Sequence, residues 1–345
     1  MSKRSRKATS YDVARIAGVS QSAVSRVFKQ GASASESMRK RVLEAAAEVG
    51  YRPNAIARGL ITQRSNMVAV LISRMTNLNY PEVLVQLTQA FSERGIRVLL
   101  FTIERESETP SVVEQLLQYQ VDGVVTAATL QGPQLELLDG AGIPVVFYNR
   151  SLRDGRVSAV RCDQEQGERW LVGELGAAGH QSFAIISGPA DSAVSVERTS
   201  GALRRLKELG ITNVPVVQGD YSYESGRHGF AELMKMRARP PDAVIAANDV
   251  MAIGCIDEAR EAFGLAVPVD VSVVGFDGAG PAAFAAYRLT TVRQPVERMT
   301  HATVQMLLER IEDPDLPPEE RVFAGTGVPG ASARLPSPEE PRTLP

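Results

Sequence analysis

Apolar residues recur along this chain with two different periods, and the change between them divides it. Up to residue 52 the spacing is helical. Thr9-Ser10-Tyr11-Asp12 offers a hydroxyl cap with a carboxylate in the first turn. The predicted helix runs on through Val13, Ala14, Ile16 and Ala17 and stops at Gly18-Val19. Ser20 can cap a second helix over about 21–28, and a third starts near Ser35 with Val42, Leu43, Ala46 and Val49 on its apolar stripe. On the second helix Ala23, Val24 and Val27 share one side, while Ser22, Ser25, Arg26 and Lys29 share the other. One side can pack on the first helix, leaving the other to face outward.

From Met67 onward, short β-rich apolar runs alternate with amphipathic stretches of helix length. MVAVLIS, IRVLLF, VDGVVTA and IPVVFY form a first set of strands; SFAIIS, VPVVQG, DAVIAAN and VSVVGF form a second. Helix-length segments such as 81–94, 164–178, 195–209, 222–236 and 249–263 separate them. Repeated βα units imply parallel sheets with helices on both faces, and two sets of similar size imply two lobes. The predicted fold class is α/β: an all-α helix-turn-helix unit over 1–52, a hinge or linker over 53–64, a two-lobed body over 65–330 and a disordered tail over 331–345. The first lobe takes about 65–161 and 293–320, the second about 162–290 and 321–330. The chain crosses between lobes near 160–162, again through LTTVRQP at 289–295, and a third time near 321–327.

Charge sharpens this division. Residues 1–64 hold 13 Lys or Arg against 4 Asp or Glu, whereas residues 65–345 hold 25 against 36. A net charge of −2 therefore hides a basic head on an acidic body, the asymmetry of a nucleic-acid-binding arm on a globular domain. A solubilising basic tail accounts for KRSRK at 3–7 but not for Arg26, Arg39, Lys40, Arg41, Arg52 and Arg58, which are spread through the helical pattern and beyond it. Cys162 and Cys255 lie far apart, without metal-ligand or disulfide-framework spacing, and a reducing cytoplasm fits best. The basic N-terminus is not followed by an apolar signal core, and no apolar run has the length of a membrane span, so neither secretion nor membrane insertion is expected.

Enzyme chemistry finds little support. There is no Walker A sequence, and His180, His228 and His301 are scattered. GFDGAG at 275–280 does not match a dinucleotide fingerprint, and SGP at 187–189 is not a nucleophile elbow. No catalytic residue, metal or cofactor is assigned. A solute-binding protein is the other alternative, and the basic head argues against it.

The outward side of the second helix suits the major groove, whose base edges a helix can read. Arg26 can pair bidentately with guanine, Gln21 or Ser22 can reach other base edges, and Ser25 is a further DNA-binding candidate on the same side. Tyr11, Ser20 and Lys29 are better placed for phosphate, which positions without reading. Periodicity alone also fits a plain three-helix bundle with a solvated face. In the body, ligands of open α/β sheets lie beyond the strand carboxyl ends. That places Asn149-Arg150 after IPVVFY, Asn248-Asp249 after DAVIAA, Asp277 after VSVVGF, and Tyr221 and Tyr223 after VVQGD at one cleft. Arg198 starts the helix after SGPADSAVS, and Ser73, Asn77 and Tyr80 follow the first strand. Read alone, Asp249 serves equally as a helix cap and Asp277-Gly278 as a turn.

DVARIAGVSQSAVSRVF followed by GYRPNAIARGL resembles the lactose-repressor (LacI) family of bacterial transcription regulators. The match is contiguous over some 60 residues, and the body resembles the periplasmic sugar-binding architecture over essentially all of 65–330. The resemblance implies that 21–28 lies in the major groove of operator DNA and that 53–60 becomes a hinge helix there. Asn54 and Arg58 would lie along it, Ala57 would meet minor-groove edges, and Leu60 would wedge a base step beside its copy in a partner subunit. Pro53 suits the first helical position and Gly59 weakens the helix, so this hinge is expected to form only on DNA. The family pattern also implies that Asn149, Arg198, Asn248 and Asp277 hold a sugar hydroxyl or carboxylate, and that Tyr221 packs on the sugar ring. Asn149, Arg150 and Arg198 allow a sugar, a sugar acid or a sugar phosphate, and the two guanidiniums tilt this towards an acid. GVPGASAR departs from the family's basic last strand, with Pro329 interrupting it, and the tail lacks leucine heptads, so a homodimer is expected. Its contacts should come from around 81–94 and 276–287.

Overall fold

The computed structural model describes residues 8–28, 33–52, 64–73, 78–103, 106–152 and 155–336. The expectations for Lys29, Asn54, Ala57, Arg58, Leu60 and Asn77 lie outside the described residues. The chain divides into two compact units, Met1–Ser65 and Asn66–Pro345.

The first unit holds three helices. α1 (Ser10–Ala17) opens with a reciprocal cap in which the Asp12 amide donates to the Thr9 hydroxyl and the Thr9 amide donates to the Asp12 carboxylate. It ends at Gly18, whose φ of +64° is the left-handed conformation that a side chain would strain. α2 (Gln21–Val27) and α3 (Glu36–Glu48) are capped by the hydroxyls of Ser20 and Ser35. Val13, Ala14, Ala17, Val24, Val27, Val42, Ala45 and Ala46 form the core. Leu43, expected on the apolar stripe, is 46% exposed. Leu43 stands a hundred-odd degrees round from Val42, and Ala45 takes the place it was expected to fill.

The second unit carries two parallel sheets. The first contains β1 (Met67–Ser73), β2 (Arg97–Ile103), β3 (Gly123–Thr126), β4 (Val145–Tyr148), β5 (Ser158–Cys162) and β11 (Glu320–Phe323), in the order β11-β5-β4-β3-β1-β2. Between these strands run α4 (Tyr80–Ser92), α5 (Thr109–Gln118) and α6 (Gly132–Gly140). The second sheet contains β6 (Phe183–Ser187), β7 (Val216–Gln218), β8 (Ala243–Ala246) and β9 (Ser272–Val274), in the order β7-β6-β8-β9. Its helices are α7 (Gln164–Ala177), α8 (Ala193–Glu208), α9 (Tyr223–Lys235) and α10 (Asp249–Glu261). β10 (Thr291–Arg293) pairs antiparallel with β12 (Thr326–Val328), and α11 (Val296–Glu312) packs back on α4 and the first sheet. Val68, Val70, Val125 and Val146 pack in one core and Ala69, Leu71, Val124 and Phe147 in another, so the central strands, buried on both faces, read as continuous apolar runs.

In each sheet the first strand of its set lies inside, so the order reverses between β1 and β3 and again between β6 and β8. Such switch points open crevices at the strand carboxyl ends. Three connections join the lobes: β5 into α7, β9 through β10 into α11, and β11 into β12.

Two expected boundaries are corrected. Residues 321–323 were assigned to the second lobe, but Arg321 and Val322 pair in parallel with Val160 and Arg161 in the first sheet. A parallel edge next to β5 offers them a ladder that the second lobe does not. The tail was expected to be disordered from 331, yet the Ser332 hydroxyl donates to the Val273 carbonyl at 2.6 Å and accepts from the Thr290 amide at 2.9 Å. Ser332 and Ala333 are buried there because β9 and the segment before β10 leave backbone groups needing partners. β12 does end at Val328, immediately before Pro329. No helix among the described residues is long and apolar enough to cross a membrane.

Candidate functional site

The cleft between the lobes of the second unit is lined by Ser73, Tyr80, Ala127, Tyr148, Asn149, Arg150, Asp191, Ser192, Val194, Arg198 and Tyr221. Strand ends put them there: Ser73 closes β1, Ala127 follows β3, Tyr148 ends β4, and the loop from 188 to 192 leads from β6 into α8. Ser73, Tyr80, Asn149, Arg150, Arg198 and Tyr221 therefore meet in one place, as the strand-end argument anticipates.

Arg198 is the pivot of this wall. It is 2% exposed, and each arm of its guanidinium is spoken for. Nε donates to Gln164 Oε1 at 2.8 Å, Nη1 to the Ala247 carbonyl at 2.6 Å, and Nη2 to Asp277 Oδ1 at 2.8 Å. Its plane lies 3.8 Å over the Phe276 ring. Burial works against the cation, but the charge and hydrogen bond of Asp277 and the other acidic groups nearby together more than offset it, so the guanidinium stays protonated. Gln164 also donates to Asn149 Oδ1 at 2.8 Å, which in turn accepts from the Cys162 amide. Gln294 donates to Asp277 Oδ1 at 2.7 Å from the second crossing. One hydrogen-bonded chain thus links the end of β4, the start of α7, α8, the end of β9 and the strand entering α11.

Asn248 and Asp277 have a different placement from the other candidates: neither lines the cleft. Asn248 is fully buried; its Oδ1 accepts from the Met251 amide and its Nδ2 donates to the Tyr221 carbonyl, so it caps α10 and holds the Tyr221 loop. Asp277 stands behind Arg198. Asp249 follows the cap, and burial drives its carboxyl well above the usual range despite bonds from Thr291 and Ala279. Tyr223 points away, its hydroxyl donating to Asp257.

Backbone strain collects at the same spots. Asn149, Tyr221 and Asp277 have φ of +54°, +71° and +116°. Asn and Asp tolerate this region, whereas a tyrosine there is unusual and needs surrounding contacts to hold it. Gly188 supplies room: a Cβ on it would fall 2.5 Å from the Tyr221 ring. The Tyr221 hydroxyl sits 3.0 Å from the Ser192 hydroxyl.

Sequence reasoning missed several members. Tyr148 lies next to the named Asn149; its hydroxyl is buried without a partner, and burial pushes it well above the usual tyrosine range. Asp191 and Ser192 lie in the segment quoted for Arg198, and Ser192 caps α8. Gln164 and Gln294 sit at the lobe crossings already recognised, and that location was the signal available.

The charge count changes the ligand chemistry. Arg198 is neutralised by Asp277, Arg150 donates to the Thr129 hydroxyl, and Asp191 adds a carboxylate to the lining. The two guanidiniums that tilted the reading towards an acid are thus not both available to an anion. What remains is a set of tyrosyl, seryl and amide groups suited to a polyhydroxylated ligand.

In the first unit, Tyr11 is 73% exposed, and Ser20, Ser22, Ser25 and Arg26 are exposed on one side of α2 and its cap, while Ala23, Val24 and Val27 are buried. Gln21 is half-buried, with Nε2 donating to the Ser10 hydroxyl at 3.3 Å, so it also ties α2 to α1. The geometry is that of a helix held by its apolar side with a polar side presented outward.

A three-helix unit with a polar presented helix, joined in one chain to a two-lobed α/β body with an interlobe cleft, defines a ligand-responsive DNA-binding regulator. Residues 9–54 match the model for bacterial regulatory proteins of the lacI family, and residues 172–333 match that for a periplasmic binding protein-like domain. The HTH-type transcriptional regulator CelR of Thermobifida fusca is 35% identical over 318 residues, covering 89% of this chain and 93% of that protein. The solved lac repressor dimer bound to operator and the anti-inducer ONPF superposes with a TM-score of 0.86 at 27% identity, covering 95% of this chain and 99% of that one. A CelR–cellobiose complex gives a TM-score of 0.72 at 31% identity, covering 94% and 100%. The chain belongs to the lacI family of bacterial regulatory proteins.

Proposed function

We propose that this protein is a dimeric, cytoplasmic repressor that binds a pseudo-palindromic operator and changes its affinity when a neutral sugar enters the interlobe cleft. The observation that carries the effector class is the neutralised Arg198 among three tyrosines, Asn149 and two serines. Those groups offer ring faces and hydroxyl partners with no net cationic wall to reward an acid. The relatives fit this reading: the CelR structure holds cellobiose, and the lac repressor is a dimer on its operator. The chain acts by binding, with no turnover assigned. Arg26 reads one base position per half-site, and the segment 53–60 supplies the hinge.

The chain of bonds from Asn149 through Gln164 and Arg198 to Asp277 and Gln294 runs through two of the three lobe crossings. A ligand bonding to both lobes would therefore select one interlobe angle. Coupling of about 1–3 kcal/mol to the operator-binding form is the ordinary size for such a switch.

The test is anisotropy titration of the full chain on operators selected from random palindromic duplexes. Cellobiose, ribose, other neutral sugars and matched sugar acids serve as probes. Salt-sensitive binding altered by a neutral sugar and not by its acid is expected. Response to acids alone would overturn the effector class, and failure to retain duplex at low salt would overturn the repressor.

A further inference from the structure

Helix α7 buries a carboxyl group for which its packing provides no partner. Glu168 lies one turn beyond Gln164 on the same buried face, with Gly167, Leu171, Val172 and Leu175. It is 1% exposed, and neither carboxyl oxygen has a hydrogen-bond partner. An ionised carboxylate in that position would be both desolvated and unbonded, which proteins avoid by keeping such a group protonated.

The charges around it come from few sources. α7 packs against α8, β10 and β12. From α8 the facing charge is Arg198, and from the turn after β9 it is Asp277. β10 contributes only the exposed Arg293, and β12 has no titratable residue. On α7 itself Glu165 pairs with Arg204 and Arg169 with Glu208, the cap residue Asp163 accepts from the Gln166 amide, and Glu174 lies six residues further on, outside the buried face that carries Glu168. Burial pushes the Glu168 carboxyl up to about 8, with Arg198 pulling it down and Asp277 pushing it up.

Arg198 has five N–H donors, and its three bonds to Gln164, Ala247 and Asp277 leave two uncommitted. Two carboxyl groups act on its charge: Asp277 bonds it now, and Glu168, one turn along the buried face from the Gln164 that bonds Arg198 Nε, is bonded to nothing.

We propose that Glu168 is a proton-controlled positioning residue for Arg198. Protonated, it leaves the guanidinium to Asp277, and the cleft wall stands as described. Ionised, with its proton lost to solvent, it competes with Asp277 for the guanidinium and loosens that wall. The role assigned to the wall rests on the reading of the cleft as an effector site; the titration of Glu168 does not.

Trp170, the chain's one tryptophan, is two residues further along α7. Its ring packs so closely on Gly327 that a Cβ there would lie 2.4 Å away, so its emission reports the seating of α7. The experiment follows Trp170 fluorescence of the full chain, without ligand, from about pH 6 to 10. A single step with its midpoint between about 7 and 9 is expected, and Glu168→Gln, which mimics the protonated acid, should abolish it. Asp277→Asn should move the midpoint down by about one unit or more, since it removes the repulsion and frees Arg198 for Glu168. A Glu168 that is only a buried packing residue, without a titration in the folded protein, would show neither the step nor its shift.

A flat wild-type profile, a step that survives in Glu168→Gln, or a midpoint unmoved by Asp277→Asn would overturn the proposal. Should Asp277→Asn fail to fold, infrared difference spectra at pH 7 decide. The carbonyl stretch of protonated carboxylic acid, to which the buried Asp249 also contributes, must be weaker in Glu168→Gln than in wild type; equal bands in the two proteins overturn the proposal. No sugar is used, so a failed sugar response and a failed titration are separate results.

Discussion

Replacing Arg198 with leucine should cost the body of this protein about 4 kcal/mol. The worth of the ion pair is set by its surroundings: the side chains of Arg198 and Asp277 are 3% and 1% exposed, at 2.8 Å. A surface pair would contribute under about 1 kcal/mol, but here water cannot reach the survivor. Removing one partner of a buried pair typically costs about 3–5 kcal/mol, because the remaining charge is stranded. Asp277 would keep only the Gln294 amide, at 2.7 Å, among its side-chain partners, and the Ala247 carbonyl and Gln164 would each lose a donor. The contact over Phe276 adds to the loss. The middle of that range is the expected figure. For a unit of this size, about 2 °C per kcal/mol gives a fall on the order of 8 °C in the melting temperature. Thermal unfolding followed by Trp170 emission measures it, since that residue lies in the second unit. The decisive comparison is Arg198→Leu with Asp277→Asn in one chain. Removing the stranded charge should recover about 2 kcal/mol relative to Arg198→Leu alone. Loss of less than 1 kcal/mol in the single variant, or no recovery in the double, would refute the argument that this pair organises the lobe junction.

Glu168→Gln should flatten part of the pH dependence of stability. The folded-state pKa is raised from 4.5 to about 8, so between those values the folded protein holds a proton that the unfolded chain has released. Stability from this group is therefore full below about pH 4.5 and falls as pH rises, reaching its lowest value above about 8. Melting temperatures of wild type and variant across that span should diverge by the equivalent of a few kcal/mol, with the variant ahead at alkaline pH; parallel curves would contradict it. Gly254→Ala should destabilise the second lobe by about 3 kcal/mol, because its Cβ would lie 2.2 Å from the Tyr223 carbonyl oxygen where α9 and α10 meet; a neutral result would mean that this contact yields freely. Arg26→Ala should relax base preference at one position per half-site, at a cost of about 1–3 kcal/mol on the preferred operator, as read by selection from randomised duplexes. An unchanged preference would leave Arg26 a phosphate contact.

Local order alone decided most of the elements. Ser20 and Ser35 cap helices, Gly18 ends one, and runs such as MVAVLIS and DAVIAA become two-face-buried strands because their chemistry admits little else. The helical register of 21–27 also separated Ala23, Val24 and Val27 from Ser22, Ser25 and Arg26 before any packing was known. Strand-end positions brought Ser73, Asn149, Arg150, Arg198 and Tyr221 to one cleft, since a parallel sheet sends all its carboxyl ends one way. Tertiary structure decided what those residues do there. Asn248 spends its amide on a cap, Asp277 neutralises Arg198 from behind, and Gln164 and Gln294 join the network from lobe crossings. β11 moved to the first sheet, and Ser332 found backbone partners far away in sequence. Such outcomes depend on partners separated by tens of residues and on burial, which turns an ordinary glutamate at 168 into an acid that keeps its proton. Periodicity records which side of an element is apolar; only the assembled fold determines which charges share that interior.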